Sequence, residues 1–100
     1  MRSVFNENVS DKYYCVYRLV NNTKKEIYHG IAVDFQDRYF EHSRGNVKAT
    51  SHWNFNKDRI DPFILLEKLE ESEASDYAHA LEDNPYKEYQ GYKFIKTAGL

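Results

Sequence analysis

Residues 26–42 read EIYHGIAVDFQDRYFEH. This stretch and the run before it include Tyr17 and Tyr28, then Gly30, then Arg38 and His42 four residues apart. Together these residue types can serve one chemistry, the hydrolysis of a phosphodiester. That reaction needs a water stripped of its proton, a cation to offset charge on the phosphoryl oxygens, and a metal ion at the leaving group. A guanidinium suits the second task because its planar donors match two phosphate oxygens. Each residue also has an ordinary structural role. Tyrosines on neighbouring strands commonly pack across a sheet, an arginine and a histidine one helical turn apart are often simply exposed, and Gly30 can mark a strand end.

The elements that would position these side chains follow from the pattern. Tyr13–Val20, YYCVYRLV, is rich in aromatic and β-branched residues, with Tyr13, Cys15, Tyr17 and Leu19 on one face and Tyr14, Val16, Arg18 and Val20 on the other. It reads as a strand buried on both sides. Residues 21–25 form a turn, and Glu26–Ala32 is the second strand of a hairpin. Asp34 is an N-cap for a helix to about Arg44, with Asp37 in its first turn. Phe35, Arg38, Tyr39 and His42 share one face of it, and Gly45 ends it. Residues 46–61 read as a loop with a short helical turn. Pro62–Leu69 is a central strand with proline confined to its start. Ser72 caps a second helix to about Asp83, with Ala74, Tyr77, Ala78 and Leu81 as its apolar stripe, and Tyr89–Lys96 can add an extended segment. The expected fold is α+β, a small antiparallel three-stranded sheet with flanking helices in the order β-β-α-β-α. Residues 1–10 form a flexible arm and 11–100 a single domain.

Composition bounds the function. One hundred residues suffice for one modest core, and the nine tyrosines and six phenylalanines favour folding over disorder. A formal net charge of −2 excludes bulk electrostatic gripping of nucleic acid but leaves room for a local site. Residues 1–61 carry 10 Lys+Arg against 8 Asp+Glu and residues 62–100 carry 4 against 8, an asymmetry that an acidic solvated helix explains. The single Cys15 excludes a disulfide framework and a paired-cysteine zinc motif. No apolar stretch is long enough to span a membrane, and the N-terminus lacks the pattern of a signal peptide. The expected setting is the cytoplasm, with no membrane partner.

Cys15-Val16-Tyr17, then Ile27-Tyr28-His29-Gly30, then Arg38 with His42 four residues on and Gly45 beyond, resemble the GIY-YIG nuclease family. The likeness continues more weakly through PFILLEKLE and ESEASDYAHALE to Gln90-Gly91-Tyr92. It implies a DNA endonuclease using one Mg²⁺ or Mn²⁺, with RNA as an open alternative substrate. By resemblance Tyr17 is the general base or its hydrogen-bond partner, and Tyr28 orients the water or the phosphate. Arg38 holds the scissile phosphate, and His42 accepts a proton or contacts phosphate. Gly30 and Gly45 supply turns at the site. Arg44, Lys48 and Trp53 are expected nucleic-acid contacts, with Trp53 stacking on a base or anchoring the core.

The sequence departs from the family at several points. The family holds its metal through a glutamate four residues after an alanine in an acidic-Ala sequence. Glu73-Ala74 fits that lead-in, but four residues on stands Ala78, which cannot ligate Mg²⁺. Glu82 or Glu73 would have to substitute. His29 replaces isoleucine and is expected to be exposed, and Lys93 replaces an asparagine. The alternative function is therefore a catalytically silent module of the same fold that binds nucleic acid or a protein partner.

Overall fold

Strand β1 (Tyr14–Asn21) is buried along nearly its whole length on both faces, so the chain must lay structure over each side of it. The computed structural model describes residues 12–83 and 87–97; the expected arm at 1–10 lies outside them. β1 pairs antiparallel with β2 (Glu26–Ala32), setting Tyr17 opposite Gly30 and Leu19 opposite Tyr28. The side chains of Tyr17 and Tyr28 therefore stand on the same face as diagonal neighbours. Asn21 holds the hairpin turn, its side-chain oxygen accepting from the N–H groups of Thr23 at 3.0 Å and Lys24 at 2.9 Å. This is the local bond that favours asparagine in turns.

Two layers cover the sheet. Over the face of Cys15, Tyr17 and Leu19 lie helix α1 (Phe35–Ser43) and the segment after it, bringing Phe35, Tyr39, Trp53 and Phe55 into one aromatic cluster. Over the opposite face lies α2 (Glu71–Glu82), whose Ala74 and Ala78 pack on Val16. Asp34 caps α1 as expected, its carboxylate accepting from the Asp37 N–H at 3.1 Å. Gly45, at φ +78°, follows the end of α1, a conformation that favours glycine. A short 3₁₀ turn at Lys48–Thr50 is the helical turn expected in the following loop.

The structure corrects the sequence reading in four places. The sheet has four strands, not three, in the order β3-β1-β2-β4; β4 (Lys93–Phe94) runs parallel to β2. β3 (Ile60–Leu69) is an edge strand rather than a central one, with Phe63, Ile64 and Leu66 exposed. Its apolar run suggested burial, but an edge is where Pro62 can sit without disrupting a ladder. Register shifts along its pairing with β1 and a positive φ at Lys68 break the regularity of that edge. Glu70, not Ser72, caps α2, in a reciprocal capping box with Glu73. The buried face of α2 is Ala74, Ala78 and Glu82, whereas Tyr77 is 50% exposed.

Candidate functional site

The hairpin and α1 bring together the four residues on which the phosphodiester reading turns. Tyr17 projects from β1 and is fully buried, its ring edge-on to Phe35 of α1 at 5.2 Å between centroids. About two helical turns beyond Phe35, α1 carries His42 back over both phenols, 5.7 Å from the Tyr17 ring and 5.0 Å from the Tyr28 ring. Tyr17 Oη and His42 Nε2 lie 2.7 Å apart. On the other side of the imidazole, Nδ1 lies 2.7 Å from the hydroxyl of buried Thr50. The result is a continuous hydrogen-bonded line Tyr17–His42–Thr50. A neutral imidazole donates from one nitrogen and accepts at the other, so either tautomer satisfies the line. His42 is 0% exposed.

The segment after α1 is what places Thr50. Trp53, 6% exposed, donates from its indole N–H to Glu26 Oε1 at 2.7 Å, and its backbone N–H donates to Thr50 O at 3.0 Å. Trp53 is thus the core anchor and not a platform for a base. Burial alone would raise the Glu26 carboxyl, but the bonds from Trp53 and His52 hold it below its usual range. Arg44 and Lys48 are exposed, with the Arg44 guanidinium resting over the Phe40 ring.

Gly30 does not make a turn. It lies inside β2, and its lack of a side chain is what admits the neighbouring phenols. A Cβ there would stand 2.6 Å from Tyr17 Oη and 2.7 Å from Tyr28 Cε2. Gly30, Tyr28 and exposed Arg38 line a pocket of about 130 Å³ together with Ser75, Ala78 and His79 of α2 and Thr97. At ~30 Å³ per water that is space for a few waters or one phosphate group. The Tyr17 hydroxyl packs against Gly30, one of the residues that line the pocket, and is itself fully buried.

Charge and burial tune these groups. Burial pushes the Tyr17 phenol far above its ordinary value, with Tyr28 adding to the rise and Arg38 opposing it. Burial also raises Tyr28, which Arg38 again opposes and Glu82 reinforces. Burial, and then the Arg38 charge, lowers His42 from 6.5 to about 4. Burial, and then Arg18, lowers His29 equally, from 6.5 to about 4. His29 is 1% exposed, contrary to the expectation of an exposed side chain. Both imidazoles are therefore neutral at physiological pH.

A stability prediction follows from these two shifts. Below pH 6.5 the unfolded chain binds protons that the folded chain refuses until about 4. Folding stability is thus full above 6.5 and is lost as pH falls through that window. Urea midpoints measured near pH 7 and near pH 5 should show a clear fall at the lower pH.

Neither Glu73 nor Glu82 is among the residues that line the pocket. Glu73 completes the capping box of α2 and lines a separate groove with Asp76, Tyr77 and Ala80. Glu82, 3% exposed, receives the Thr97 N–H at 3.0 Å on one oxygen and the Thr97 hydroxyl on the other. Those two donors satisfy a buried carboxylate that would otherwise be costly, and they tie the segment after β4 to the end of α2. Ala78 is buried at the pocket wall with no carboxylate beside it among the lining residues. Among the described residues no group of three His, Cys, Asp or Glu side chains could hold a metal ion. The donor set at the pocket therefore does not fit a divalent cation, which calls for anionic oxygen.

Sequence reasoning missed Thr50, Ser75, His79 and Thr97. His79 carried a signal, as the polar neighbour of Ala78 beside the buried stripe of α2. Thr50 and Thr97 carried none, because only the fold brings them to the site.

The GIY-YIG catalytic domain model matches residues 13–93. No curated protein and no solved structure matches the chain.

Proposed function

Because the chain belongs to the GIY-YIG family, we propose that it is an endonuclease hydrolysing DNA phosphodiester bonds at the pocket beside Tyr28, Gly30 and Arg38. The observation that carries this reading is the 2.7 Å contact between Tyr17 Oη and His42 Nε2, buried directly behind Gly30, which lines the pocket. A phenol raised by burial is a poor anion. Paired with a neutral imidazole it can still relay a proton without becoming one. In the productive tautomer His42 Nδ1–H donates to Thr50 and Nε2 accepts from Tyr17. As water attacks phosphorus and the P–O bond to the leaving sugar oxygen breaks, the water's proton passes to Tyr17 Oη while the phenolic proton passes to His42 Nε2, and the departing oxygen takes a proton from bulk water. Arg38 offsets charge on the phosphoryl oxygens, and its fork suits two of them. Tyr28 aligns the water or a phosphoryl oxygen. Arg44 and Lys48, both exposed, would meet flanking phosphates.

GIY-YIG nucleases generally depend on a divalent metal, so Mg²⁺ and Mn²⁺ belong in the test even though the pocket offers them no carboxylate. Incubation of the protein with supercoiled plasmid in Mg²⁺, in Mn²⁺ and in EDTA should produce nicking in at least one condition. Arg38→Ala should reduce it about a hundredfold or more. Wild-type nicking no greater than that of Arg38→Ala in all three would refute the reading.

A second reading, a binding module that no longer cuts, is favoured by Ala78. Its test is Ala78→Glu. If the site lost activity with its carboxylate, the variant should gain Mn²⁺ binding by calorimetry and metal-dependent nicking that the parent lacks. On either reading we place the chain in the cytoplasm, in line with its one buried, unpaired Cys15. No helix among the described residues is long and apolar enough to cross a membrane. In so small a domain, choice among DNA structures, or of RNA, would come from a protein partner or a longer assembly.

A further inference from the structure

Two adjoining grooves lie where the β2–α1 junction meets α1 on one side and β1 and β3 on the other. One, of about 420 Å³, runs from Tyr13 to Ile64, with Glu67 and Lys68 of β3 along it. The other, of about 600 Å³, is walled by Asp37, Phe40 and Glu41 of α1. Val33 and Asp34 line both, so the two are continuous. Each is in the size range that takes organic groups rather than a single ion. The described residues include seven exposed large apolar side chains, and four of them, Tyr13, Val33, Phe40 and Ile64, line these grooves. Single apolar residues scattered over a surface are ordinary, whereas a concentration of them rimmed by polar groups marks a contact surface.

Charge decides the kind of contact. The grooves carry four carboxylates, Asp34, Asp37, Glu41 and Glu67, against two cations, Arg38 and Lys68. None of the four is in a salt bridge among the described residues. Asp34 accepts from the Asp37 N–H and Glu41 from the Asn46 amide, both neutral donors. Carboxylates left without counter-charge repel a phosphate backbone, so the aromatic side chains here do not make a platform for a nucleic-acid strand. They suit a cationic partner.

We propose that the two grooves form one docking surface for a protein partner, a chain segment that presents apolar side chains flanked by lysine or arginine. The apolar side chains cover Tyr13, Val33, Phe40 and Ile64, and the cations meet Asp37, Glu41 and Glu67, an apolar centre within a polar rim. The outer face of α2 is also acidic, but its groove at Glu73 and Asp76 holds one large exposed apolar side chain, Tyr77, too little to anchor a segment. Ile31 and Arg38 line both the larger groove and the pocket beside Tyr28, so a partner seated here adjoins that pocket. The proposal goes beyond the nuclease reading and stands if the chain cuts nothing.

Titration of the isotope-labelled protein with a short peptide of alternating leucine and lysine tests this, with a leucine–glutamate peptide and a single-stranded oligothymidylate as comparisons. The leucine–lysine peptide should shift the amide resonances of Tyr13, Val33, Phe40 and Ile64, and the other two probes should leave them in place. Val33→Ser and Phe40→Ser alter exposed side chains, so both variants should keep the spectrum of a folded domain, and each should weaken the peptide about tenfold. The pair Asp37→Asn and Glu41→Gln should weaken it as much and reduce its salt dependence. Equal shifts with the leucine–glutamate peptide would remove the charge complementarity, and shifts with the oligothymidylate would give the surface to nucleic acid; either overturns the proposal. So would peptide shifts confined to Glu73, Asp76 and Tyr77, or no shift at millimolar peptide. Resonances of the four amides that move with protein concentration alone would assign the surface to a second copy. Movement on Phe5→Ser in the free protein would assign it to residues 1–11 of this chain, and each of these two results also overturns the partner.

Discussion

Tyr17→Phe should abolish nearly all nicking, by ~10²–10⁴-fold in kcat, while leaving the domain folded and KM close to the parent value. The phenyl ring keeps the contacts of Tyr17 with Phe35, Tyr28 and His42, so the core keeps its shape. What disappears is the hydroxyl at one end of the line through His42 to Thr50. The His42 Nε2 left behind is buried and unpaired, a cost of about 1–3 kcal/mol in folding free energy. Circular dichroism and a urea titration would verify that the variant is folded under assay conditions. Retention of more than a tenth of wild-type kcat would remove Tyr17 from the proton path.

Gly30→Ala is expected to damage both stability and activity although it adds a single methyl group. The new Cβ would lie 2.6 Å from Tyr17 Oη and 2.7 Å from Tyr17 Cζ and Tyr28 Cε2. None of these atoms is the free end of a flexible chain: both rings are buried, and the Tyr17 hydroxyl is held at His42. Relief must come from shifting a ring or spreading the hairpin, at ~1–3 kcal/mol. A shift of the phenol also pulls it from the imidazole, and a displacement near 1 Å can cost ~10²-fold in rate. Urea midpoints together with nicking rates at full folding would separate the two effects. A variant as stable and as active as wild type would mean that the space beside Gly30 is not set by the phenols.

Both expectations concern residues whose importance was partly readable in the chain. The hairpin, α1 with its Asp34 cap and the glycine after its end were legible because local chemistry dictates them: aromatic and β-branched residues in β1 and β2, a carboxylate for the first free N–H groups, and a left-handed residue at Gly45. The ordering Tyr17, Tyr28, Arg38, His42 carried the family, which the match over residues 13–93 bears out. The position of β3 was not legible. An apolar run reads the same at an edge as in the centre, and only pairing with β1 on one side decides it. β4 escaped the strand count because two residues hold no periodicity; it exists through backbone bonds from Lys93 to Lys25 and from Ile95 to Ile27.

The site was legible in its pieces and not in its wiring. His42 looked like a helix-surface residue, and the loop after α1 buries it against Thr50. Glu82 looked like a substitute metal ligand because it shares a face with Ala78, yet the chain returns Thr97 to occupy both of its oxygens. Gly30 was expected for its backbone freedom and matters for its missing side chain. In each case the sequence names the residue type, and a contact distant in sequence decides its use.

The most direct test of the central claim, that the phenols, the imidazole and Arg38 serve one phosphodiester, is a crystal structure of Tyr17→Phe with an uncleaved DNA duplex. The expected density places one backbone phosphate in the pocket, with two of its oxygens at the Arg38 guanidinium and the vacated position of the Tyr17 hydroxyl facing phosphorus. A duplex bound instead along β3 or the acidic face of α2, with Arg38 and Tyr28 free of phosphate, would contradict it.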